Sequence, residues 1–273
     1  MHTMVITGGT DGMGAALARH YLAAGERVTV IGRSRSKFDA LVTAVSCVDP
    51  SAAARAEFVP ADLSLVADSR RVVDHLLAHH ERIDSLVLAA SFIRQRRQTT
   101  TEGHEASWAL FFLSKYLFVT GLAPLLRVAE RPVIVNTAVP GARVDAVNFE
   151  DLEMVHEFTF RRSNAQQRRA NELLGVLAAD GIPNLAYITW GPARLVRSSF
   201  AGEVGGVMRI TAAVLGRLLG QRPEAAVGPI IRIIDDPSPG RAAYRGATER
   251  ALNVGRQDGT DAVRLAAAVE EGL

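Results

Sequence analysis

The residues best suited to chemistry come first in the chain, at Thr7-Gly8-Gly9-Thr10-Asp11-Gly12-Met13-Gly14. Glycines at 8, 12 and 14 permit a tight turn whose backbone N–H groups can approach an anion closely. A helix opening there adds the favourable end of its dipole. A pyrophosphate is the ligand that such a turn suits. The spacing is Gly-x-x-x-Gly-x-Gly, not the Gly-x-Gly-x-x-Gly of the common dinucleotide fingerprint. Gly8, Thr10, Asp11, Gly12, Met13 and Gly14 are therefore read as cofactor-binding. Gly32-Arg33-Ser34 indicates which dinucleotide. An NAD site places an acid there for the adenosine ribose 2′-hydroxyl, and this chain has none. Arg33, helped by Ser34 and Lys37, can instead pair with a 2′-phosphate, which favours NADPH. Asp62 and Leu63 are placed for the adenine edge, and Ala89-Ala90-Ser91 for the backbone beside the adenosine ribose. Gly191 is counted with them.

These residues need elements to hold them. Val5-Ile6-Thr7, Val28 to Ile31, Phe58-Val59, Leu86 to Leu88, Val133 to Val135 and Leu185 to Ile188 read as buried strands. Helical patterns lie between them at Gly14 to Ala24, Val66 to Ala78, Glu102 to Leu126 and Arg161 to Ala179. This alternation predicts an α/β fold with a doubly wound parallel sheet covered on both faces. One domain over residues 1–273 is expected. The rhythm breaks after Gly191, and the glycine-punctuated stretch 194–222 is expected to form a substrate lid after the sixth strand. The alternative there is a surface helix, Val207 to Leu219. A last helix, Thr260 to Glu271, is expected to start at a Thr260 cap.

Composition sets outer limits. With 48% hydrophobic and 22% charged residues, the balance is that of a soluble globular chain. No apolar run reaches the roughly 18 residues of a membrane span. Strand-like sequence starts almost at Met1, so no cleavable leader is expected, and the protein is expected to be cytoplasmic. Cys47 is the single cysteine, which excludes disulfides and cysteine-rich metal sites. Only Lys37 and Lys115 among the 31 basic residues are lysines. The arginines are scattered, densest at Arg94, Arg96 and Arg97, without a basic stripe interleaved with aromatics, so no nucleic-acid partner is expected. The seven histidines lack ligand spacing and are expected mostly at the surface. Asp235-Asp236 and Glu270-Glu271 read as solvated pairs.

The glycine turn, Gly32-Arg33 and Asp62-Leu63-Ser64, in this strand order, resemble the short-chain dehydrogenase/reductase family nearly end to end. Arg97-x-x-Thr100-x-Glu102-Gly103-x-Glu105, Pro124-Leu125-Leu126, Ala170-Asn171 and the closing Asp261 to Leu273 resemble its retinol-dehydrogenase-like branch. That resemblance implies NADP(H)-linked carbonyl and alcohol chemistry, often on bulky lipophilic substrates. It also implies an Asn-Ser-Tyr-Lys tetrad, in which tyrosine and lysine lie four apart on one helix face. Tyr21, Tyr116, Tyr187 and Tyr244 are followed four residues later by Gly25, Thr120, Gly191 and Thr248, so no Tyr-x-x-x-Lys exists. Alignment through Ala170-Asn171 puts Asn164 at the tyrosine and Arg168 at the lysine. Alignment from Glu102-Gly103 to Pro124 puts Phe111 at the asparagine. Counting back from Gly141 puts Ala138 at the serine, with Thr137 beside it, and neither neighbour restores a serine.

The sequence thus describes a cofactor site without the family's acid, and no metal site or Gly-x-Ser-x-Gly elbow replaces it. The reading is an NADPH-dependent ketoreductase acting on a polycyclic aromatic ketone whose own phenol supplies the proton. Arg168 would take the lysine's place against the nicotinamide ribose. Asn164 could orient a carbonyl, but an amide cannot deliver a proton as tyrosine does. The pattern is similar to tetrad-lacking reductases of actinomycete aromatic polyketide pathways, such as the angucyclinone ketoreductases. Two alternatives stay open. One is a non-catalytic NADP(H)-binding sensor or partner protein, with the apolar stretch Trp108 to Leu122 as its contact patch. The other is a non-redox cyclase or isomerase. Oligomeric state is not legible.

Overall fold

Apolar runs with no polar alternation have to be covered on both sides, and a single sheet sandwiched between helices does this. The computed structural model describes residues 1–92, 94–194, 196 and 221–273. Seven strands run parallel: β1 (Thr3–Thr7), β2 (Arg27–Gly32), β3 (Ala56–Pro60), β4 (Ser85–Leu88), β5 (Val133–Asn136), β6 (Ala186–Gly191) and β7 (Gly240–Arg245). A short β8 (Thr248–Arg250) folds back antiparallel on β7. The order β3-β2-β1-β4-β5-β6-β7-β8 reverses direction between β1 and β4. That switch point opens a crevice at the carboxyl ends of the strands.

Every residue of β4, β5 and β6 is buried, yet alternate side chains enter different cores. Ile6, Val87, Val135 and Ile188 face one side. There they meet Leu17 of α1 (Gly12–Ala23) and Phe38 of α2 (Arg35–Ser46). Val5, Leu86, Ile134 and Tyr187 face the other side and meet Leu76, Phe112, Leu173 and Leu265. In chain order the remaining helices are α3 (Ala52–Arg55), α4 (Val66–His79), α5 (Ala106–Trp108), α6 (Ser114–Gly121), α7 (Ala123–Arg127), α8 (Phe160–Gly181), α9 (Pro223–Asp235) and α10 (Asp258–Gly272). A π-helical stretch, Ala109–Leu113, joins α5 to α6.

Several local expectations are corrected. The helix expected over Glu102 to Leu126 starts only at Ala106, because its first acids cap helices instead of joining one. Glu102 accepts from the backbone of Val66 and of Ala67 (3.0 Å), at the start of α4. Glu105 accepts from Ser107 (3.0 Å) and Trp108 (2.7 Å). Thr260 is not a cap: α10 begins at Asp258, which is buried and paired with Arg169. The rhythm resumes after the expected break, with α9 and β7 completing another helix-strand unit.

The histidines are not mostly at the surface, since only His20, His79 and His156 are exposed. His75 and His80 instead bracket Glu57, at 2.7 and 3.1 Å. The terminal acid pairs also have partners: Tyr21 donates to Asp235 (2.9 Å), Arg131 to Asp236 (2.8 Å) and Tyr116 to Glu270 (2.8 Å). Trp108, Phe112, Tyr116 and Phe118 are in the core, so the stretch Trp108 to Leu122, the alternative contact patch, buries its aromatic side chains except the half-buried Phe111. The lid expected at 194–222 and the alternative helix at 207–219 lie largely outside the described residues. Val196 and Gln221 pair in a single parallel bridge.

Candidate cofactor site and reaction centre

The turn after β1 is shaped by two close approaches. Gly8 has φ +69°, and a Cβ on it would lie 2.7 Å from the Ala90 Cα. A Cβ on Gly14 would collide with the Gly8 carbonyl oxygen. The backbone is therefore folded onto itself more tightly than any side chain allows, leaving a cradle that fits a pyrophosphate. Asp11 caps α1, its Oδ1 accepting from Gly12 at 2.7 Å, and it pairs with Lys37. Ala90 is fastened across the cradle by its N–H to Thr7 Oγ1 at 3.3 Å.

Twelve of the fourteen residues assigned to the cofactor line one cavity of about 280 Å³: Gly8, Thr10, Asp11, Gly12, Met13, Gly14, Arg33, Ser34, Asp62, Leu63, Ala89 and Ala90. Arg33 stands mostly exposed on the rim, its Nη1 4.0 Å from Asp62 Oδ2. The other Asp62 oxygen accepts from the Ser64 backbone (3.0 Å) and hydroxyl (2.7 Å). Arg168 and Gly191 do not line this cavity. Gly191 ends β6 against Val139, where an added Cβ would lie 3.1 Å from the valine methyls. Arg168 is turned to the loop after β5, donating from Nε to the Val139 carbonyl and from Nη2 to the Pro140 carbonyl, both at 2.6 Å. Burial lowers its pKa, Glu172 opposes this and Arg245 adds to it.

The other family positions are scattered in environment. Asn164 is exposed on the second turn of α8. Phe111 sits in the π-helical stretch, and its carbonyl accepts from Asn171 Nδ2 at 2.9 Å. Ala138 donates its N–H to Asn136 Oδ1 at 3.0 Å. Asn136 in turn centres a buried network that the sequence reading missed. Its Oδ1 accepts from Lys115 Nζ (2.8 Å), and its Nδ2 donates to Asn171 Oδ1 (2.6 Å) and the Tyr187 hydroxyl (2.8 Å). Burial pushes the Lys115 ammonium down to about 7 and the Tyr187 phenol up. The available signal was residue usage, since Lys115 is one of two lysines among 31 basic residues. Phe92 and Arg94, also missed, line the cavity beyond Ala90 and Ser91. Among the described residues no group of three or more histidine, cysteine or acidic side chains is placed to hold a metal ion.

A glycine cradle at the switch point of a mainly parallel sheet defines a dinucleotide-binding class of protein. Residues 2–149 match the short chain dehydrogenase family, and the chain belongs to it. An uncharacterized oxidoreductase of Saccharomyces cerevisiae is 26% identical over 221 residues, 76% of this chain and 66% of that protein. A short chain dehydrogenase of Aspergillus sclerotiorum is 26% identical over 77% of this chain and 58% of its own length. The match therefore spans less than two thirds of either relative. Polyprenol dehydrogenase of Mus musculus is 26% identical over 83% of this chain and 69% of its own. Among solved structures, a short-chain dehydrogenase from Sphingobium yanoikuyae in complex with NADPH superposes with a TM-score of 0.64, at 20% identity, covering 98% of this chain and 94% of that one. A Pseudomonas aeruginosa RhlG/NADP active-site complex gives 0.62 at 21% identity, covering 90% and 95%. These likenesses show a Rossmann-like fold. Among the described residues no helix is long and apolar enough to cross a membrane.

Proposed function

We propose that the chain is an NADPH-dependent ketoreductase for a bulky polycyclic aromatic ketone, working with a proton that the substrate itself supplies. The observation carrying this reading is the contrast within one site. The cradle, Arg33 and Lys37 are assembled around a cavity, while the position of the family's tyrosine holds an exposed asparagine. NADPH supplies a hydride when bound. Gly8, Gly12 and Gly14 would hold its pyrophosphate, and Arg33 with Ser34 its 2′-phosphate.

Magnitudes support a slow but real enzyme. A positioned general acid contributes about 10²–10⁴ in rate, whereas holding two reactants in line supplies effective molarities of roughly 10⁵–10⁸ M. The loss of tyrosine is smaller than the gain from orientation. A ketone hydrogen-bonded to its own neighbouring phenol recovers part of that loss before it binds. Resemblance to the retinol-dehydrogenase-like branch and to angucyclinone ketoreductases favours a lipophilic polycyclic substrate, and likeness to a polyprenol dehydrogenase fits the same choice. We place the activity in the cytoplasm, on a small molecule, with no nucleic-acid or membrane partner.

The test uses NADPH carrying deuterium at the transferable position, with a panel of phenolic polycyclic ketones and quinones. The expected result is carbon-bound deuterium at the reduced carbonyl of a ketone, in a product richer by one deuterium and one proton. For a quinone it is hydroquinone formed as NADPH is oxidised, because deuterium on oxygen exchanges with water. Binding of NADPH without transfer to any of them would favour a sensor or partner-binding protein, and an isomerised product without added hydrogens would favour a cyclase or isomerase. An Arg168→Ala variant with unchanged cofactor affinity and turnover would remove Arg168 from the ribose site.

A further inference from the structure

Three cations line the cavity, and they are not equivalent. Arg33 faces Asp62, and Lys37 pairs with Asp11. Arg94 has no acidic partner and no hydrogen bond among the described residues, and its Nε is shut off from water without an acceptor. Its guanidinium carbon lies 4.3 Å from the centre of the Phe92 ring, which also lines the cavity.

Two other arginines, Arg55 and Arg169, also bury an Nε without an acceptor. Both commit their terminal nitrogens to acids: Arg55 to Asp49, and Arg169 to Glu172 and Asp258. Their unmet donor is the residue of an otherwise satisfied ion pair. For Arg94 nothing among the described residues plays that part. Arg94 is half-buried, and its two terminal nitrogens, unlike its enclosed Nε, stay open to solvent, so they are free to meet an anion that enters the cavity.

Position tells which part of an occupant that is. Phe92 stands against the Arg94 guanidinium, and Leu110 and Val196 line the same cavity. Leu110 directly precedes Phe111, which stands where the family places the asparagine of its catalytic tetrad. Arg94 follows β4 while Arg33 and Lys37 follow β2, on opposite sides of β1, so Arg94 stands across the cavity from the other two cations. A flat ligand that enters here brings its anionic oxygen within reach of a guanidinium, the group that arginine uses for carboxylates.

We propose that Arg94 is the substrate anchor, binding an anionic oxygen of a planar aromatic ligand. This rests on the ketoreductase reading for its ligand class and narrows it: the substrate carries a carboxylate or an acidic phenol besides its ketone. Phe92 fixes the plane of the guanidinium, and Arg94 confers the preference for charge.

The test compares anthraquinone-2-carboxylate with its neutral isostere anthraquinone-2-carboxamide, each titrated into the NADP⁺-loaded protein. Wild type is expected to bind the carboxylate at least about tenfold more tightly, as a charge-assisted hydrogen bond provides. In Arg94→Gln the preference should vanish, in Arg94→Lys it should survive in part, and NADPH affinity should be unchanged in both. Equal affinity of wild type for the two probes overturns the proposal, and so does a preference that survives Arg94→Gln. Weakened NADPH binding in Arg94→Gln overturns it as well, making Arg94 a cofactor ligand. The measurement needs no turnover. A charge preference without deuterium transfer would sink the reductase reading alone, and transfer without a charge preference would sink the anchor alone.

Discussion

At the nucleotide end of the site, the polar groups that matter stand at the cavity wall. Asp11 caps α1 while lining the cavity, and Arg33 stands on its rim. Around β5, β6 and α8, polar side chains are turned inward on one another. Lys115, Asn136, Asn171 and Tyr187 form a closed set, and Arg168 is bonded to the carbonyls of Val139 and Pro140. One end is shaped to receive a ligand and the other to hold its own loop in place. The difference teaches that polar groups left at a cavity wall stay available to a ligand, whereas those bonded to one another and to backbone carbonyls stabilise the loop they sit on.

The comparison is broken most forcefully at the cradle. Gly14→Ala should lower NADPH affinity at least about 100-fold by titration calorimetry, because the new Cβ meets the Gly8 carbonyl oxygen. Helix propensity works the other way, since alanine favours a helix interior over glycine by about 1 kcal/mol. The turn must shift around the new Cβ, so a folded variant of lower stability that no longer binds is the expected outcome. Normal binding would mean that the turn at Gly8 to Gly14 does not hold the pyrophosphate.

The inward-turned end is probed at Lys115. Burial holds its ammonium down to about 7, from an ordinary 10.5. Between those values the unfolded chain binds the proton that the folded chain has released, so stability rises with pH across that window. Below about pH 7 the full cost of burying the cation remains. Lys115→Met should therefore be more stable than wild type by a few kcal/mol near pH 6 in urea melts, and that advantage should shrink as the pH rises towards 10. Asn136 Oδ1 would keep the Ala138 N–H as a partner. An advantage independent of pH would show that Lys115 is not buried as a cation.

How much of this was legible follows from the range of the interactions. The glycine turn and the strands are local patterns, each spanning a few residues, and β1 to β6 fall where the apolar runs are. Twelve of the positions read as cofactor-binding line one cavity because the fold puts consecutive strand ends side by side. Glu102 was misread as helix since its task, capping α4, depends on residues 36 positions away. Tyr187 reaches Asn136 across 51 positions, and no periodicity encodes that. Arg94 was visible only as one member of an arginine cluster. Its neighbour Phe92 and its missing acid become visible only in three dimensions. Residue usage held a further clue: the chain's two lysines are Lys37, on the cavity wall, and Lys115, beneath the reaction end.

A smaller effect sharpens the nucleotide end. Arg33→Ala should raise the Kd for NADPH about 10- to 100-fold and leave that for NADH nearly unchanged, the worth of charge-assisted bonds to a 2′-phosphate. Parallel titrations with both cofactors check it. Equal losses for the two would make Arg33 a general support for the strand end instead of a selector.

The smallest effect is expected where the family has its acid. Asn164 is exposed and makes no hydrogen bond among the described residues, so Asn164→Ala should change turnover by less than about threefold. Removing a working general acid would cost about 10²–10⁴. The two outcomes are far enough apart for a single-turnover measurement to separate them. A loss in the larger range would mean that the amide orients the carbonyl at this position, and the reaction end would then contribute chemistry after all. The reverse replacement, Asn164→Tyr, tests the same point from the other side. Its phenol would lie four residues before an Arg168 already bonded to Val139 and Pro140, not beside a lysine free to lower its pKa. Little gain in rate is therefore expected from the tyrosine alone.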